Sequence, residues 1–198
     1  MRTVAASAYA SSPLWYTTRS TAVIAFLLLT VSVGLGVGAT QRAVASSGWP
    51  RFATQELHRN VSLLGLLFVV VHIVTTLADQ YVHVGWLAAV VPGVSGYRTA
   101  WVALGTLAFD VFLVVIATSL VRDRLPLRLW RGLHWTVYAA WPLAFVHFLE
   151  TGTDAAHHRW GLWFALVCLA LVLVVVIARL LTRHQVTGPA RSVRDLVQ

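Results

Sequence analysis

Four histidines lie inside or at the edges of apolar stretches: His58 and His72, fourteen residues apart, and His134 and His147, thirteen apart. Ionisable side chains are costly in such surroundings and usually serve a function there. Imidazole is the commonest metal ligand and titrates near neutral pH. Two such pairs therefore read as ligands to a metal or haem iron, or as polar groups along a proton or metal path. A single histidine on an apolar helix more often serves helix packing than ligation. Four in two matched pairs are much harder to reach by chance. The lone cysteine, Cys168, sits in an apolar run and forms no internal disulfide, and no CxxCH occurs, which excludes covalent haem attachment by that route.

Composition says where these residues sit. Of 198 residues, 58% are hydrophobic and 11% are charged, against roughly 25% charged in a soluble domain. Five stretches approach the length of about 20 apolar residues that crosses a bilayer: Thr21–Ala39, Leu57–Ala78, Ala100–Val121, Gly132–Leu149 and Trp160–Leu181. The expected fold class is all-α integral membrane, with five transmembrane helices, a polar N-terminal segment over 1–19 and a tail over 182–198. Residues Gly85–Val94 are apolar but too short to span, and read as a helix lying on the membrane surface. Gly34, Gly36 and Gly38 form a GxGxG run inside the first span, where small residues serve close helix packing.

Arginine sets the orientation. All fifteen basic residues are Arg. With the N-terminus outside, eleven of them fall on the cytoplasmic side, Arg42, Arg51, Arg59, Arg122, Arg124, Arg128 and Arg131 among them. Only Arg2, Arg19, Arg98 and Arg159 fall outside, which the positive-inside rule reads as N-terminus out and C-terminus in. A competing reading makes the first span a cleaved signal peptide ending near Ala39. The net charge of +8 does not point to nucleic acid, because the arginines sit at helix ends rather than along one face.

The second and fourth spans then run in the same direction. His58 lies level with His134 near the cytoplasm, and His72 level with His147 near the outer face. At 1.5 Å per residue each pair spans roughly 20 Å along its helix. Two pairs at two depths are what two six-coordinate b-type haems require, one per leaflet, between the second and fourth helices. Fourteen residues bring His58 and His72 to within roughly 40° of one face, but thirteen leave His134 and His147 about 140° apart on an ideal helix. Pro142 lies between them and removes a backbone bond, so a distortion is expected around Tyr138–Pro142 that turns His147 toward the second span.

Other residues support the site on this reading. Arg19, Arg98 and Arg159 outside, with Arg59 and Arg131 inside, are candidate contacts for haem propionates; interfacial anchoring is the simpler role. Asp110, the one acid well inside a span, is placed to orient a histidine, relay protons or make a structural hydrogen bond. Tyr138 and Trp141 lie between the two haem levels, where packing is the plainer role. His83, His157 and His158 fall on outer loops with Asp79, Glu150 and Asp154, as a candidate substrate or metal site beside solvated-loop roles.

At these residues the chain resembles the ferric reductase-like transmembrane family, which includes ferric-chelate reductases, NADPH oxidases and the haem subunit of the periplasmic methionine sulfoxide reductase system. The resemblance rests on Leu57-His58-Arg59-Asn60 through Val71-His72, and on Trp130-Arg131-Gly132-Leu133-His134-Trp135 through Val146-His147, and covers about residues 15–180. It implies a transmembrane haem domain over 20–181, with the inner haem iron on His58 and His134 and the outer on His72 and His147. Oxidases of this family continue into a flavin and nicotinamide domain. Here about 17 residues follow the last span and no glycine-rich nucleotide loop follows a strand. The donor is therefore expected to be a separate protein, a quinol, or a loosely bound flavin or quinone.

The expected function is a multi-pass bacterial plasma-membrane cytochrome b, an oxidoreductase component without its own flavin domain. It carries electrons from a cytoplasmic-side donor to an outer acceptor such as chelated ferric iron. The alternatives are a haem subunit serving a periplasmic methionine sulfoxide reductase-like partner, and a non-redox channel or assembly subunit.

Overall fold

The computed structural model describes residues 13–39, 51–79, 84–152 and 159–186. His83, Asp154, His157, His158, Arg2 and Arg42 lie outside them, as do the first twelve residues and those from 187 onward. The described residues form helices α1 (Pro13–Ala39), α2 (Arg51–Ala78), α3 (Thr99–Leu120), α4 (Leu127–Trp135), α5 (Val137–Thr151) and α6 (Trp160–Val186), with short 3-10 turns at Trp86–Ala89 and Arg122–Arg124. No strand occurs among them. Four helices are long and apolar enough to cross a membrane: α1, α2, α3 and α6.

The expected fourth span, Gly132–Leu149, is instead divided between α4 and α5, of nine and fifteen residues. The break falls at Thr136, one to two turns before Pro142, which sits inside α5. Thr136 takes the Leu133 carbonyl twice, through its backbone N–H at 3.1 Å and its hydroxyl at 2.6 Å. Ala139 N–H then bonds back to the Thr136 carbonyl at 2.9 Å. These are three-residue closures. Each residue wound that way adds roughly 20° over an α-helical residue. The tightening works against the 140° misalignment of His134 and His147.

Four other boundaries differ from the sequence reading, one of them the end of α6, which runs on to Val186 past the expected Leu181. α1 begins at Pro13 rather than Thr21, because the threonine hydroxyls of its first turns bond to carbonyls of their own helix: Thr17 to Pro13 at 2.8 Å and Thr21 to Thr17 at 2.7 Å. Arg19 lies over the Trp15 ring at 3.9 Å, which gives its charge a place on the helix surface. α2 starts at Arg51 instead of Leu57. The surface helix expected over Gly85–Val94 is only a single 3-10 turn, whose Ala88 carbonyl accepts from the Thr106 hydroxyl of α3 at 2.7 Å.

α1 packs along α2 and α3 along α5, and the two pairs meet mainly through α1 with α5 and α6. The joint is aromatic. Phe26 of α1 stacks on Phe148 (5.2 Å between ring centres) and lies 5.4 Å from Trp141. Trp141 donates its indole N–H to the Thr30 hydroxyl at 3.1 Å, and Cys168 of α6 is buried in the same cluster. In lipid such joints hold by close packing and interhelical hydrogen bonds rather than by the hydrophobic effect. The gap left between α2 and the α3–α5 pair contains the histidines.

Candidate functional site

The structure brings the histidines together in twos. The rings of His58 (α2) and His134 (α4) stand 6.2 Å apart centre to centre, at 70° to one another. Those of His72 (α2) and His147 (α5) stand 6.5 Å apart, at 79°. A metal–imidazole nitrogen bond is about 2 Å, and the ring centre lies roughly 1 Å behind the nitrogen, so two imidazoles on opposite sides of one ion stand about 6 Å apart. Both pairs have that separation. Neither pair is joined by a third potential ligand: among the described residues no group of three or more His, Cys, Asp or Glu gathers. A metal held by two imidazoles alone needs its other positions filled from outside the chain, as a porphyrin fills four around iron.

Three of the four rings are fixed by backbone carbonyls. His58 Nδ1 donates to the Ser32 carbonyl at 3.0 Å, His72 Nδ1 to Thr18 at 3.0 Å, and His147 Nδ1 to Trp101 at 2.8 Å. A carbonyl only accepts, so each Nδ1 carries a proton, and in the neutral imidazole that leaves the lone pair on Nε2. That is the tautomer a metal ligand needs, and a second bond of this kind also fixes ring orientation. His134 is held differently. Its Nδ1 lies 3.4 Å from the Ser119 hydroxyl, and Trp130 stacks on its ring at 5.0 Å.

Two of these carbonyls share a local device. In an α-helix the carbonyl of residue i already accepts from the N–H of residue i+4, so the His58 and His147 protons must reach a second lone pair past the side chain at i+4. Four residues after Ser32 stands Gly36, and four after Trp101 stands Gly105. A Cβ on Gly105 would lie 2.6 Å from the His147 ring, an impossible contact, and one on Gly36 would lie 3.2 Å from His58 Cε1. The glycine run in the first span is therefore more than a helix-packing feature at Gly36, which makes room for a histidine.

A cavity of about 310 Å³ opens around His72 and His147. Its walls are mostly apolar, with Phe26, Phe109, Phe112 and Trp141 toward the middle of the bundle, and Trp15, Arg19 and Tyr97 toward its end. Of the five arginines singled out as propionate contacts, only Arg19 lines this cavity. Arg98 donates to the Glu150 carbonyl and thereby ties the start of α3 to the end of α5. Arg59 pairs with Glu56 at 3.9 Å on an exposed face, and Arg131 and Arg159 are exposed.

Asp110 orients no histidine, since the Nδ1 partners are Ser32, Thr18, Trp101 and Ser119. Tyr138 does not line the gap either; it is exposed, and its hydroxyl accepts from Arg179 at 3.0 Å. Trp141 is buried and does reach the cavity wall. Sequence reasoning missed Thr18, Ser32, Trp101, Gly105 and Ser119, and gave Trp130 only as part of a motif, without its stacking on His134. For the two glycines a signal exists, a glycine inside an apolar helix where alanine would serve better; backbone carbonyls leave no side-chain signal.

A family model described as "Ferric reductase like transmembrane component" matches residues 16–145. No curated protein and no solved structure matches the chain.

Proposed function

The chain belongs to the ferric reductase-like transmembrane family, and from that premise we propose that it carries electrons across a bacterial plasma membrane on two b-type haems. The observation that supports this most is the pair of histidine couples, at 6.2 and 6.5 Å, with Nδ1 of three rings committed to carbonyls. The two histidines of each couple would hold one haem between them, and that group would supply one-electron transfer. His58 and His134 serve the cytoplasmic haem, and His72 and His147 the outer one. The walls around His72 and His147 are mostly apolar, and Arg19 offers a propionate contact at the cavity's end.

On this reading five segments cross the bilayer, with α4 and α5 jointly making the fourth crossing, the N-terminus out and the C-terminus in. An electron moving outward is assisted by an inside-negative potential, at about 2.3 kcal/mol per 100 mV. The donor is a separate cytoplasmic-side protein or quinol, or a loosely bound flavin, and the acceptor is an outer oxidant such as chelated ferric iron. A periplasmic methionine sulfoxide reductase-like partner is the rival acceptor. Proteoliposomes loaded with reduced donor test the direction: external ferric chelate is reduced if the chain is a wire to small acceptors. Haem oxidation only on adding a periplasmic oxidoreductase favours the rival, and haem-free protein made with ample haem overturns both in favour of a non-redox membrane subunit.

A further inference from the structure

Asp110 lies halfway along α3 and takes no part in the site. About 100° per residue places it roughly 140° around the helix from Gly105, on the side turned away from the cavity. It makes no hydrogen bond or ion pair with any described residue. An acid in hydrocarbon is expensive unless neutral and hydrogen-bonded, and such residues mark contacts or pathways.

Its neighbours on that face form a pattern. Ala103, Leu107, Asp110, Val114 and Ala117 follow at steps of four, three, four and three. This heptad spacing is the seam along which two helices supercoil. Leu107 and Val114, which flank the acid, are 39% and 47% exposed, and Ala117 is exposed beyond them. Alanines at both ends permit the close backbone approach that membrane helix pairs use.

We propose that this seam is a dimer interface with a second copy of the chain, closed by hydrogen bonds between the two Asp110 carboxyls. Two copies inserted the same way pack their α3 helices in parallel about a two-fold axis along the membrane normal. Every seam residue then meets its own counterpart at the same depth. A neutral carboxyl is donor and acceptor at once, so an identical carboxyl satisfies it. A basic partner helix would instead place a charged pair in lipid, with two desolvation costs to offset. All fifteen basic residues of this chain are arginines, and α3 from Thr99 to Leu120 contains none.

The test is the mass of the full-length chain in lipid nanodiscs. Wild type is expected at two copies per particle. Asp110→Leu should halve that mass, and Asp110→Asn, which still donates and accepts, should keep it. In a Cys168→Ser background, Leu107→Cys and Val114→Cys should cross-link under mild oxidation, whereas Leu113→Cys, 43% exposed but off the seam, should not. Helix content by circular dichroism checks that each variant folds. A monomeric wild type, a dimer indifferent to Asp110→Leu, preferential linking through Leu113, or a single copy bound to a different membrane protein each overturns the proposal.

Discussion

The glycines facing the histidine rings give the most local predictions. At Gly105 an added methyl would overlap the His147 ring, which the Trp101 carbonyl already holds at 2.8 Å. Neither the ring nor the α3 backbone has an easy way to yield. Gly105→Ala is therefore expected to remove the outer haem while sparing the inner one, leaving about half of the wild-type haem absorbance per chain. Gly36→Ala brings a looser contact, 3.2 Å to His58, and is expected to retain both haems with a shifted inner potential, read by redox titration. Thr30→Val deletes the acceptor of the Trp141 indole at the helix joint; interhelical bonds of this kind contribute about 0.6 kcal/mol and at most about 1.7, so a small loss in unfolding midpoint is expected. The four histidines were legible in the sequence because polar residues in apolar runs stand out. Thr18, Ser32 and Trp101 were not, because they act through backbone carbonyls that every residue possesses.

At the level of elements, the α4–α5 break decides whether His134 and His147 address one gap. The sequence showed that thirteen-residue spacing needs a distortion, and Pro142 was the visible candidate. The structure puts the break at Thr136, where a side-chain hydroxyl and a backbone N–H both take the Leu133 carbonyl. Threonine is common in membrane helices and seldom interrupts them, so its identity carried little warning. Arg179 of α6 braces the same junction, through the Tyr138 hydroxyl at 3.0 Å and the Trp135 face at 5.9 Å. Thr136→Ala should let the helix wind regularly and lower haem content, most at the His134 level. Pro142→Ala should leave haem content near wild type. Full haem in Thr136→Ala with loss in Pro142→Ala would return the cause to the proline. Helix starts were misread for a related reason: the threonines that open α1 read as polar flank, yet Thr17 and Thr21 satisfy themselves on their own helix.

For the whole molecule, the membrane class was fixed by a charged share of 11% in 198 residues, and the all-helical architecture followed, since lipid admits helices and closed barrels only. α2 and the α4–α5 segment run in the same direction, with His58 facing His134 and His72 facing His147. What composition did not reveal is how the helices group: α1 is integral to the site, giving carbonyls to both α2 histidines. Everything about electron transfer depends on two haems being held. The most direct measurement is the reduced-minus-oxidised spectrum of the purified full-length chain, with haem released and quantified against protein. The expected result is a b-type spectrum with two haems per chain, reduced to about one in His72→Leu or His147→Leu. A chain expressed with ample haem that folds, enters the membrane and carries none would contradict it.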